Sequence, residues 1–429
     1  MQSFKLFMLV IFSTLLLSVS YGQTDVENEN TDELKILKNI TPFNYINQNV
    51  KTLKIPKRKY DSPFFCDELI DYKDGFIVNS ITSYSTGSEI EFMTNFFYYN
   101  LIDKSIKKIS VSKADTIESI VCSDKTLYYS FVKNGKRNIG YLANNQCHNL
   151  FKLAPLVLRN HLETAKWIKL GFSNDKLFVL SPNFLFEVFN NEWKSLVKYS
   201  LDDFYIQTLK YRKSNSMLPT KNIIIKNNSV YFLQEIVQGR ESRLLKLNIT
   251  NGSLEDYFVS LDYIDYYFKE VNDFTFLNDS SLLVLTSRLM DKQLIINTKD
   301  DKVNIWAFDN HLTTLNNLKV EFPVTSAINN DDTLILASSK GLFYKHSDTV
   351  KPLVYFTNYH QKIKVKVGAN NFNMDFNFEP RSIKKLFNNI YVIGGMWGGL
   401  YQVDILNNKL TCLDDVDYDK IKSIDLSEL

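Results

Sequence analysis

The sequence predicts an all-β protein in which one unit is repeated along most of the 429 residues. The composition fits strands, because 31 Phe and 24 Tyr stand against only 14 Gly, and aromatic side chains suit the half-buried surface of a pleated sheet. Beyond the first 22 residues, no segment has the 3.6-residue apolar period of a long helix. The strongest indication is a pattern of apolar segment, polar turn and apolar strand that recurs at nearly constant spacing.

The recurring pattern places seven polar turns along the chain, at Asp74, Asp124, Asp175, Asn228, Asp279, Asp331 and Asn389. Consecutive turns are 50 to 58 residues apart. Downstream of each turn lies a second pattern, an aromatic-containing strand followed by a polar turn and a shorter strand, which is typical of an antiparallel hairpin. Each repeat therefore holds two hairpins, or four strands.

The last repeat, residues 384–413, shows the unit most clearly. Its four short strands are joined by a turn at Asn388–Asn389, by the Gly-rich segment GGMWGG (Gly394–Gly399), and by a turn at Asn407–Asn408. The second strand, Ile390–Ile393, is apolar at every position. A continuous apolar strand of this kind is what burial on both faces of a sheet requires.

A period near 50 residues with four strands resembles the repeats of the β-propeller superfamily, and IYVIGG (Ile390–Gly395) resembles a kelch-like or YVTN-like repeat. This resemblance implies a ring of four-stranded antiparallel blades over residues 61–414. Seven blades fit the seven repeats, with six or eight as open alternatives. A closed ring is also favoured physically, because radial stacking buries both faces of each sheet and leaves only short edges. Tandem β-sandwiches are a further alternative, but they would not need a constant step.

The two ends of the chain predict separate segments. Residues 1–22 have Lys5, the apolar run Leu6–Leu17 and small residues before a cleavage point after Gly22, which together indicate a signal peptide. We therefore expect a secreted, periplasmic or extracellular protein whose mature chain starts at Gln23 and contains no membrane span. Residues 23–60 form an N-terminal extension, acidic and disordered in part, in which VKTLKIPK is predicted to supply a strand that pairs with the final blade and closes the ring. Residues 415–429 form an acidic tail.

Charge and motifs exclude several classes of function. With 50 basic and 48 acidic residues, the chain lacks the positive charge of a nucleic-acid-binding protein. The five His are scattered without the spacing of zinc ligands, and the acidic tail lacks the Gly and distal Glu of an EF-hand loop, so neither a metal nor a cofactor is predicted. The sequence also lacks a Gly-x-Ser-x-Gly elbow and a phosphate-binding Gly loop.

The resemblance to propellers implies a binding face. In that fold, the loops between the second and third strands and the connections between blades share one face, which is the usual binding face. The long segments 201–221, 287–302 and 358–381 map there, as does GGMWGG. Candidate ligand-binding residues in or beside these loops are Tyr211, Arg212, Arg240, Arg288, Arg381, Met396 and Trp397.

The chemistry of these candidates suits two kinds of ligand. The planar guanidinium of Arg binds carboxylate or sulfate groups, and an aromatic ring on a Gly-rich loop offers a platform for a sugar or a peptide. The alternatives are solvated loop charges for the arginines and, for GGMWGG, a tight turn with Trp397 packed on a neighbouring blade.

Four cysteines, Cys66, Cys122, Cys147 and Cys412, lie in the predicted mature chain. Cys122 and Cys147 are predicted on the first and last strands of one blade, roughly 14 Å apart at about 4.8 Å per strand, which is too far for a disulfide. A bond between Cys66 and Cys412 would join the first blade to the last and staple the ring. Free buried thiols are the alternative.

These observations favour a non-catalytic binding or scaffold module, a monomer, that recognises a protein or a glycan through its loop-rich face. The alternative is a glycan-active lyase or hydrolase with its site at the mouth of the central channel. Clustered acids with raised pKa values in a pocket at the channel mouth would favour the enzyme. A broad aromatic patch without such acids would favour binding.

Overall fold

The computed structural model describes residues 40–42, 44–45, 52–59, 66–86, 89–111, 115–123, 126–201, 203, 221–236, 241–256, 271–286, 292–299, 302–307, 324–330, 333–346, 349–357, 360–367, 370–387, 389–396, 399–417 and 420–429. The fold is all-β, with seven four-stranded antiparallel blades arranged in a ring. The seven-bladed β-propeller predicted from the repeats is therefore confirmed.

Three short strands precede the ring: β1 (Ile40–Pro42), β2 (Asn44–Tyr45) and β3 (Thr52–Lys54). From the innermost strand outwards, blades 1 to 3 are β4 (Cys66–Tyr72), β5 (Gly75–Thr86), β6 (Glu89–Asn100), β7 (Ile106–Ser110); β8 (Thr116–Cys122), β9 (Leu127–Lys133), β10 (Lys136–Ala143), β11 (Gln146–Asn149); and β12 (Lys169–Ser173), β13 (Lys176–Leu180), β14 (Phe184–Phe189), β15 (Glu192–Lys198).

Blades 4 to 6 are β16 (Ile224–Lys226), β17 (Ser229–Ile236), β18 (Glu241–Asn248), β19 (Leu254–Asp256); β20 (Val271–Phe276), β21 (Ser281–Thr286), β22 (Lys292–Asn297), β23 (Lys302–Ala307); and β24 (Val324–Asn330), β25 (Thr333–Ser338), β26 (Gly341–His346), β27 (Thr349–Thr357). A separate hairpin, β28 (His360–Val367) and β29 (Asn370–Asn377), leads to blade 7, which is β30 (Glu379–Phe387), β31 (Ile390–Met396), β32 (Gly399–Asp404) and β33 (Lys409–Cys412). The final strand is β34 (Ser423–Asp425).

An α-helix, α1 (Leu156–Glu163), follows a 3₁₀ turn at Leu150–Leu153 in the connection between blades 2 and 3. Among the described residues, no helix is long and apolar enough to cross a membrane.

Asparagine-rich turns set the register of the hairpins. Among the described turns that join first to second or third to fourth strands, four have both residues in the left-handed region, at Asn144–Asn145, Asn174–Asp175, Asn190–Asn191 and Asn227–Asn228. Asn134–Gly135, between the second and third strands of blade 2, has the same backbone conformation. This backbone is the type I′ turn, whose twist matches that of the flanking strands and which Asn tolerates better than most residues. Because all four turns join first to second or third to fourth strands, they lie on the same face of the ring.

The blades pack face to face through apolar side chains. Between blades 3 and 4, for example, Phe178 and Leu185 meet Phe232 and Leu245. The seam between blade 7 and blade 1 is built in the same way, with Val392 and Leu400 against Cys66, Leu69 and Val78. Burial on both sides of each sheet explains the continuous apolar second strands, and apolar packing of the last blade on the first closes the ring.

The predicted strand within VKTLKIPK forms, but the pairing with the final blade is wrong. Residues Thr52–Lys54 pair in parallel with Tyr355–Thr357 of β27, the outer strand of blade 6. The edge of β27 is nine residues long, whereas the outer strand of blade 7 has only four, so blade 6 offers more unpaired backbone groups to cover. The outer edge of blade 5 is also covered, because β1 pairs in parallel with β23.

The C-terminal residues cover a third edge. β34 pairs in parallel with β7, the outer strand of blade 1, and the side chains of Leu426 and Leu429 are buried between blades 1 and 2. The acidic tail predicted at 415–429 thus contains an ordered strand and two apolar anchors.

A buried ion pair forms where the chain enters and leaves the ring. Arg58 Nη1 lies 2.6 Å from Asp414 Oδ1, and the two side chains are 7 % and 0 % exposed. Arg58 Nη2 also donates to the Asp414 carbonyl at 2.9 Å, and the amide of Leu400 donates to Asp414 Oδ1 at 2.9 Å. Burial alone would lower the pKa of Arg58, but the Asp414 carboxylate outweighs it and raises the pKa above its usual range. The N-terminal segment is therefore held against blade 7 by side chains rather than by strand pairing.

We expect Arg58→Ala to lower the free energy of unfolding by about 3–5 kcal/mol, because the Asp414 carboxylate is left buried without its cation. Urea unfolding followed by tryptophan fluorescence measures this. The matched control is Lys420→Ala, which removes the ion pair between Lys420 and Asp417. Because the Lys420 side chain is 78 % exposed, this substitution should change the free energy of unfolding by less than about 1 kcal/mol. Equal effects of the two substitutions would contradict a structural role for the buried pair.

Candidate functional site

The two faces of the ring differ in the length of their loops. One face has the tight turns within hairpins, and the other has the loops between second and third strands and the connections between blades. We call this second face the loop-rich face. It carries the 3₁₀ turn with α1 and the hairpin β28–β29. The strands β5 and β6 are each twelve residues long, and their connected ends also lie on this face. The segments 204–220, 257–270 and 308–323 lie outside the described residues.

Several inner strands begin with a β-bulge at the loop-rich end of the central channel. The register shifts between Cys66 and Glu68, Ile117 and Ser119, Val271 and Asp273, Val324 and Ser326, and Pro380 and Ser382. A bulge adds twist and re-aims the side chains beside it. The polar groups at these positions and at the start of blades 3 and 4 form what we call the channel collar: Glu68, Ser119, Lys169, Lys221, Asn222, Asp273, Ser326 and the backbone of Arg381.

Lys221 connects blades that are not neighbours. It lies just before blade 4, and its ammonium donates to Asp273 Oδ1 of blade 5 at 2.6 Å and to the Arg381 carbonyl of blade 7 at 3.4 Å. Asp273 Oδ2 in turn accepts from the Ser326 hydroxyl of blade 6 at 3.0 Å. These contacts cross the channel from one side to the other at the level of the collar.

Asn222 links the remaining side of the collar. Its backbone amide donates to Glu68 Oε2 at 3.3 Å, and its side-chain oxygen accepts from the Ser119 hydroxyl at 2.8 Å. Ser119 Oγ also accepts from the Leu170 amide at 3.1 Å, so blades 1 to 4 meet in one polar network. Burial raises the pKa of Glu68 above its usual range, although Lys221, Lys169 and these hydrogen bonds oppose the shift.

A second acid lies close to the collar, in the bulge of blade 2. Both carboxylate oxygens of Glu118 accept from Arg137 at 2.9–3.1 Å, and the Glu118 carbonyl accepts from Lys169 at 3.2 Å. Burial raises the pKa of Glu118, and the Arg137 cation opposes this. Two acids with raised pKa therefore lie at the loop-rich end of the channel, and the oxygens of Glu118 are both engaged by one guanidinium. Among the described residues, no group of three or more His, Cys, Asp or Glu could hold a metal ion.

The structure describes few of the predicted ligand-binding residues. Tyr211, Arg212, Arg240, Arg288 and Trp397 lie outside the described residues. Met396 is the last residue of β31, and Arg381 lies in the bulge of β30, where its carbonyl accepts from Lys221.

Sequence reasoning missed the channel collar, although a signal was present. Glu68 and Ser119 are 51 residues apart, Asn222 and Asp273 are also 51 apart, and Ser326 follows 53 residues later. A polar residue at the same phase of each repeat, just before an apolar inner strand, could have identified these positions.

Two glycines of GGMWGG are required by packing. A Cβ on Gly394 would lie 2.1 Å from Cys66 Sγ. Gly399 has a φ of +85°, and a Cβ there would lie 1.9 Å from Arg58 Nη1 and 2.6 Å from the Asp414 carboxylate. These contacts support the alternative reading of the segment as a tightly packed turn, as far as its glycines are concerned.

The predicted Cys66–Cys412 disulfide is not formed in the structure. Cys66 packs against the second strand of blade 7, whereas Cys412 lies on its fourth strand, so two strand spacings of about 4.8 Å separate the thiols. Cys412 Sγ faces the ion pair instead, 3.2 Å from Arg58 Nη1, and burial followed by the Asp414 charge raises its pKa to about 12. Cys122 and Cys147 lie on the first and last strands of blade 2, as predicted.

We expect Gly399→Ala to lower the free energy of unfolding by about 4 kcal/mol or more, because the methyl group both strains the backbone and displaces the Arg58–Asp414 pair. Gly135→Ala is a matched control, since Gly135 has a φ of +74° but open space around its Cβ position. The control should lower the free energy of unfolding only by the cost of a left-handed backbone for alanine, about 1–2 kcal/mol. Chemical denaturation measures both variants, and similar losses would show that the contact with Arg58 is not needed.

We expect Glu68→Gln to flatten the pH dependence of stability. A carboxyl group whose pKa is raised on folding holds its proton more tightly in the native state, so its contribution to stability is largest at low pH and falls as pH rises through the folded pKa. The gain of Glu68→Gln over the parent chain should therefore grow from acidic to neutral pH in urea melts. Glu192→Gln, on the exposed outer strand of blade 3, reports the effect of removing any one negative charge. The prediction is wrong if the two variants have the same pH profile.

No family model matches the sequence, and no curated protein does either. Three solved structures illustrate the structural similarity. An extracellular domain assigned to the hybrid two-component system BT4673 of B. thetaiotaomicron is 13 % identical with a TM-score of 0.39; the match covers 86 % of this chain but only 43 % of that one. YCF48 bound to D1 peptide is 10 % identical with a TM-score of 0.43, covering 82 % and 97 %. The Neurospora crassa Pan2 WD40 domain is 7 % identical with a TM-score of 0.40, covering 79 % and 88 %. At these values the assignment of the fold rests on the sheet topology of the chain itself.

Proposed function

We propose that this protein is a secreted, non-catalytic binding or scaffold module that recognises a protein or a glycan through its loop-rich face. The observation that carries the proposal is the asymmetry of the ring. The 3₁₀ turn with α1, the hairpin β28–β29 and the extended β5–β6 pair all project from one face, while the opposite face has short Asn-rich turns. A rigid scaffold with variable loops on one side is the usual design of a recognition surface.

The channel collar supports recognition at the surface over catalysis in the channel. Lys221 joins Asp273 of blade 5 to the Arg381 carbonyl of blade 7, and Asp273 also accepts from Ser326 of blade 6. Both carboxylate oxygens of Glu118 are held by Arg137 within blade 2. Groups held in this way stabilise the arrangement of inner strands. We assign a structural role to the channel collar and the binding role to the loops of the loop-rich face.

One observation favours the second candidate, a glycan-active lyase or hydrolase. Glu68 is an acid with a raised pKa beside two lysines at the channel mouth, which is the kind of group that could exchange a proton with a substrate. In that case Glu68 would act as the general acid or base. Its hydrogen bonds with the Asn222 amide and the Asn79 side chain would then hold the carboxyl group in place.

The test is a thermal-shift screen of the chain from Gln23 against oligosaccharides, polysaccharides and candidate extracellular proteins. A ligand at about 100 times its dissociation constant adds roughly 2.7 kcal/mol to the stability, which is readily detected. We expect Trp397→Ala and Arg240→Ala to weaken the binding of a ligand found in this way by about tenfold or more. Leu406→Ala, in an exposed turn of the opposite face, is the matched control and should leave binding unchanged.

The two candidates give different results in this test. Binding that is lost in the control and kept in the loop variants would contradict recognition through the loop-rich face. If the chain releases product from a bound glycan, and Glu68→Gln abolishes that release, the protein is the glycan-active enzyme and not a non-catalytic binding module.

A further inference from the structure

The connection between blades 2 and 3 presents an apolar patch on the loop-rich face. The side chains of Leu153, Leu156 and Val157 are 53 %, 66 % and 66 % exposed. The same connection is anchored from below, because Leu150, Phe151, Leu162 and Trp167 are buried in the seam between blades 2 and 3 and against blade 4. The patch is therefore carried on a fixed element, and its exposure is a property of the folded protein.

The charges around this patch are mostly basic. Residues 150–168 contain Lys152, Arg159 and Lys166 but only one acid, Glu163, which pairs with Lys136 at 3.0 Å. The whole chain, by comparison, is nearly neutral, with 50 basic and 48 acidic residues. The connection that carries the exposed apolar side chains thus has a local excess of positive charge.

A small polar pocket adjoins the patch. It has a volume of about 170 Å³ and lies beside α1, where His161, Thr164 and Lys166 face Ser181, Asn183 and Phe184. The ring of Phe184 lies 4.7 Å from that of His161, and Lys198 approaches the same ring at 6.0 Å. Val157 and His161 are four residues apart on α1, and Thr164 follows as its C-cap, so the pocket lies further along the helix face that carries Val157. Its volume and its polar and basic lining suit a group the size of a phosphate.

We propose that this patch docks the protein on an anionic lipid surface. Leu153, Leu156 and Val157 would enter the boundary between head groups and acyl chains, while Lys152, Arg159 and Lys166 meet the lipid phosphates and the pocket beside α1 receives one of them. Apolar side chains on a short helix, ringed by basic ones, are the composition of interfacial membrane contacts. The inference is independent of the ligand recognised by the outer loops.

The composition of the patch favours lipid over a protein partner. Protein interfaces are depleted in Lys, and their binding energy concentrates in aromatic or Arg side chains that fill pockets. Here the aromatic residues of the connection, Phe151 and Trp167, are both buried, and the exposed residues are aliphatic and Lys-rich. Three protruding side chains also cover far less than the roughly 800 Å² that each partner of a stable protein complex buries.

The experiment is sedimentation of the chain from Gln23 with vesicles of phosphatidylcholine alone or with about 30 % phosphatidylglycerol, whose negative surface attracts basic residues. We expect binding to the anionic vesicles that weakens with added salt, and little binding to the neutral ones. The double variant Leu156→Asp, Val157→Asp should lower the partition by about tenfold or more, since it places two charges where acyl chains would lie. Leu406→Asp is the matched control, because Leu406 is 68 % exposed on the opposite face, and it should bind like the parent chain.

The outcomes separate the possibilities. Circular dichroism and thermal melts first confirm that the variants keep the parent fold, as expected for substitutions at exposed positions. Absence of binding to anionic vesicles, or equal loss in the double variant and in Leu406→Asp, overturns the proposal. Retention of a purified protein ligand that is lost only in the double variant, without vesicle binding, would instead assign the patch to a protein partner. These outcomes do not test ligand binding by the other loops of the loop-rich face, which is tested separately with Trp397→Ala and Arg240→Ala.

Discussion

A buried ion pair fixes the point where the chain enters blade 1 and leaves blade 7, beside the apolar seam that closes the ring. The incoming segment brings Arg58 onto the outgoing Asp414, and the pair is enclosed by Gly399, whose lack of a side chain makes room for the guanidinium. Asp414 also accepts from the Leu400 amide, so one carboxylate joins the incoming segment to two strands of the last blade. A buried pair of charges is stabilising only when its remaining oxygens and N–H groups find partners, and here the Leu400 amide and the Asp414 carbonyl supply two of them.

The outer edges of three blades are covered by the ends of the same chain. N-terminal strands cover blades 5 and 6, and a C-terminal strand covers blade 1. Each is parallel to its partner, unlike every pairing within the blades. Together with the ion pair at residues 58 and 414, these strands make the extension and the tail parts of the propeller, so the folded domain exceeds the repeat region of 61–414.

The repeat pattern allowed the architecture to be predicted, because each blade needs a buried second strand and a tight turn, and both leave a mark in the sequence. The pairs Asn190–Asn191 and Asn227–Asn228 mark two of these tight turns, since Asn is one of the few residues suited to two successive left-handed positions. Pairing at the edges could not be predicted, because Thr52–Lys54 would suit any open strand, and its choice of β27 depends on the relative lengths of edges in the assembled ring. The collar was missed for a similar reason, because a bulge is a feature of two strands in register and no single residue encodes it. Of the candidate ligand-binding residues, the structure describes Arg381, whose carbonyl accepts from Lys221, and Met396, which pairs with Glu379 at the end of β31.

The parallel strands contributed by the N-terminal segment also bear on the order of assembly. During synthesis, residues 40–54 emerge before any blade, yet their partners lie in β23 and β27, more than 250 residues further along the chain. Arg58 is separated from its partner by even more of the chain, since Asp414 follows 356 residues later. These contacts, and those in the seam between blades 7 and 1, are thus among the most distant in sequence, and forming them requires ordering a very long loop. Blades can pair their own strands as they are made, but the ring itself can close only when almost the whole chain has been released, and until then the faces of its first and last blades are exposed to aggregation and to chaperones.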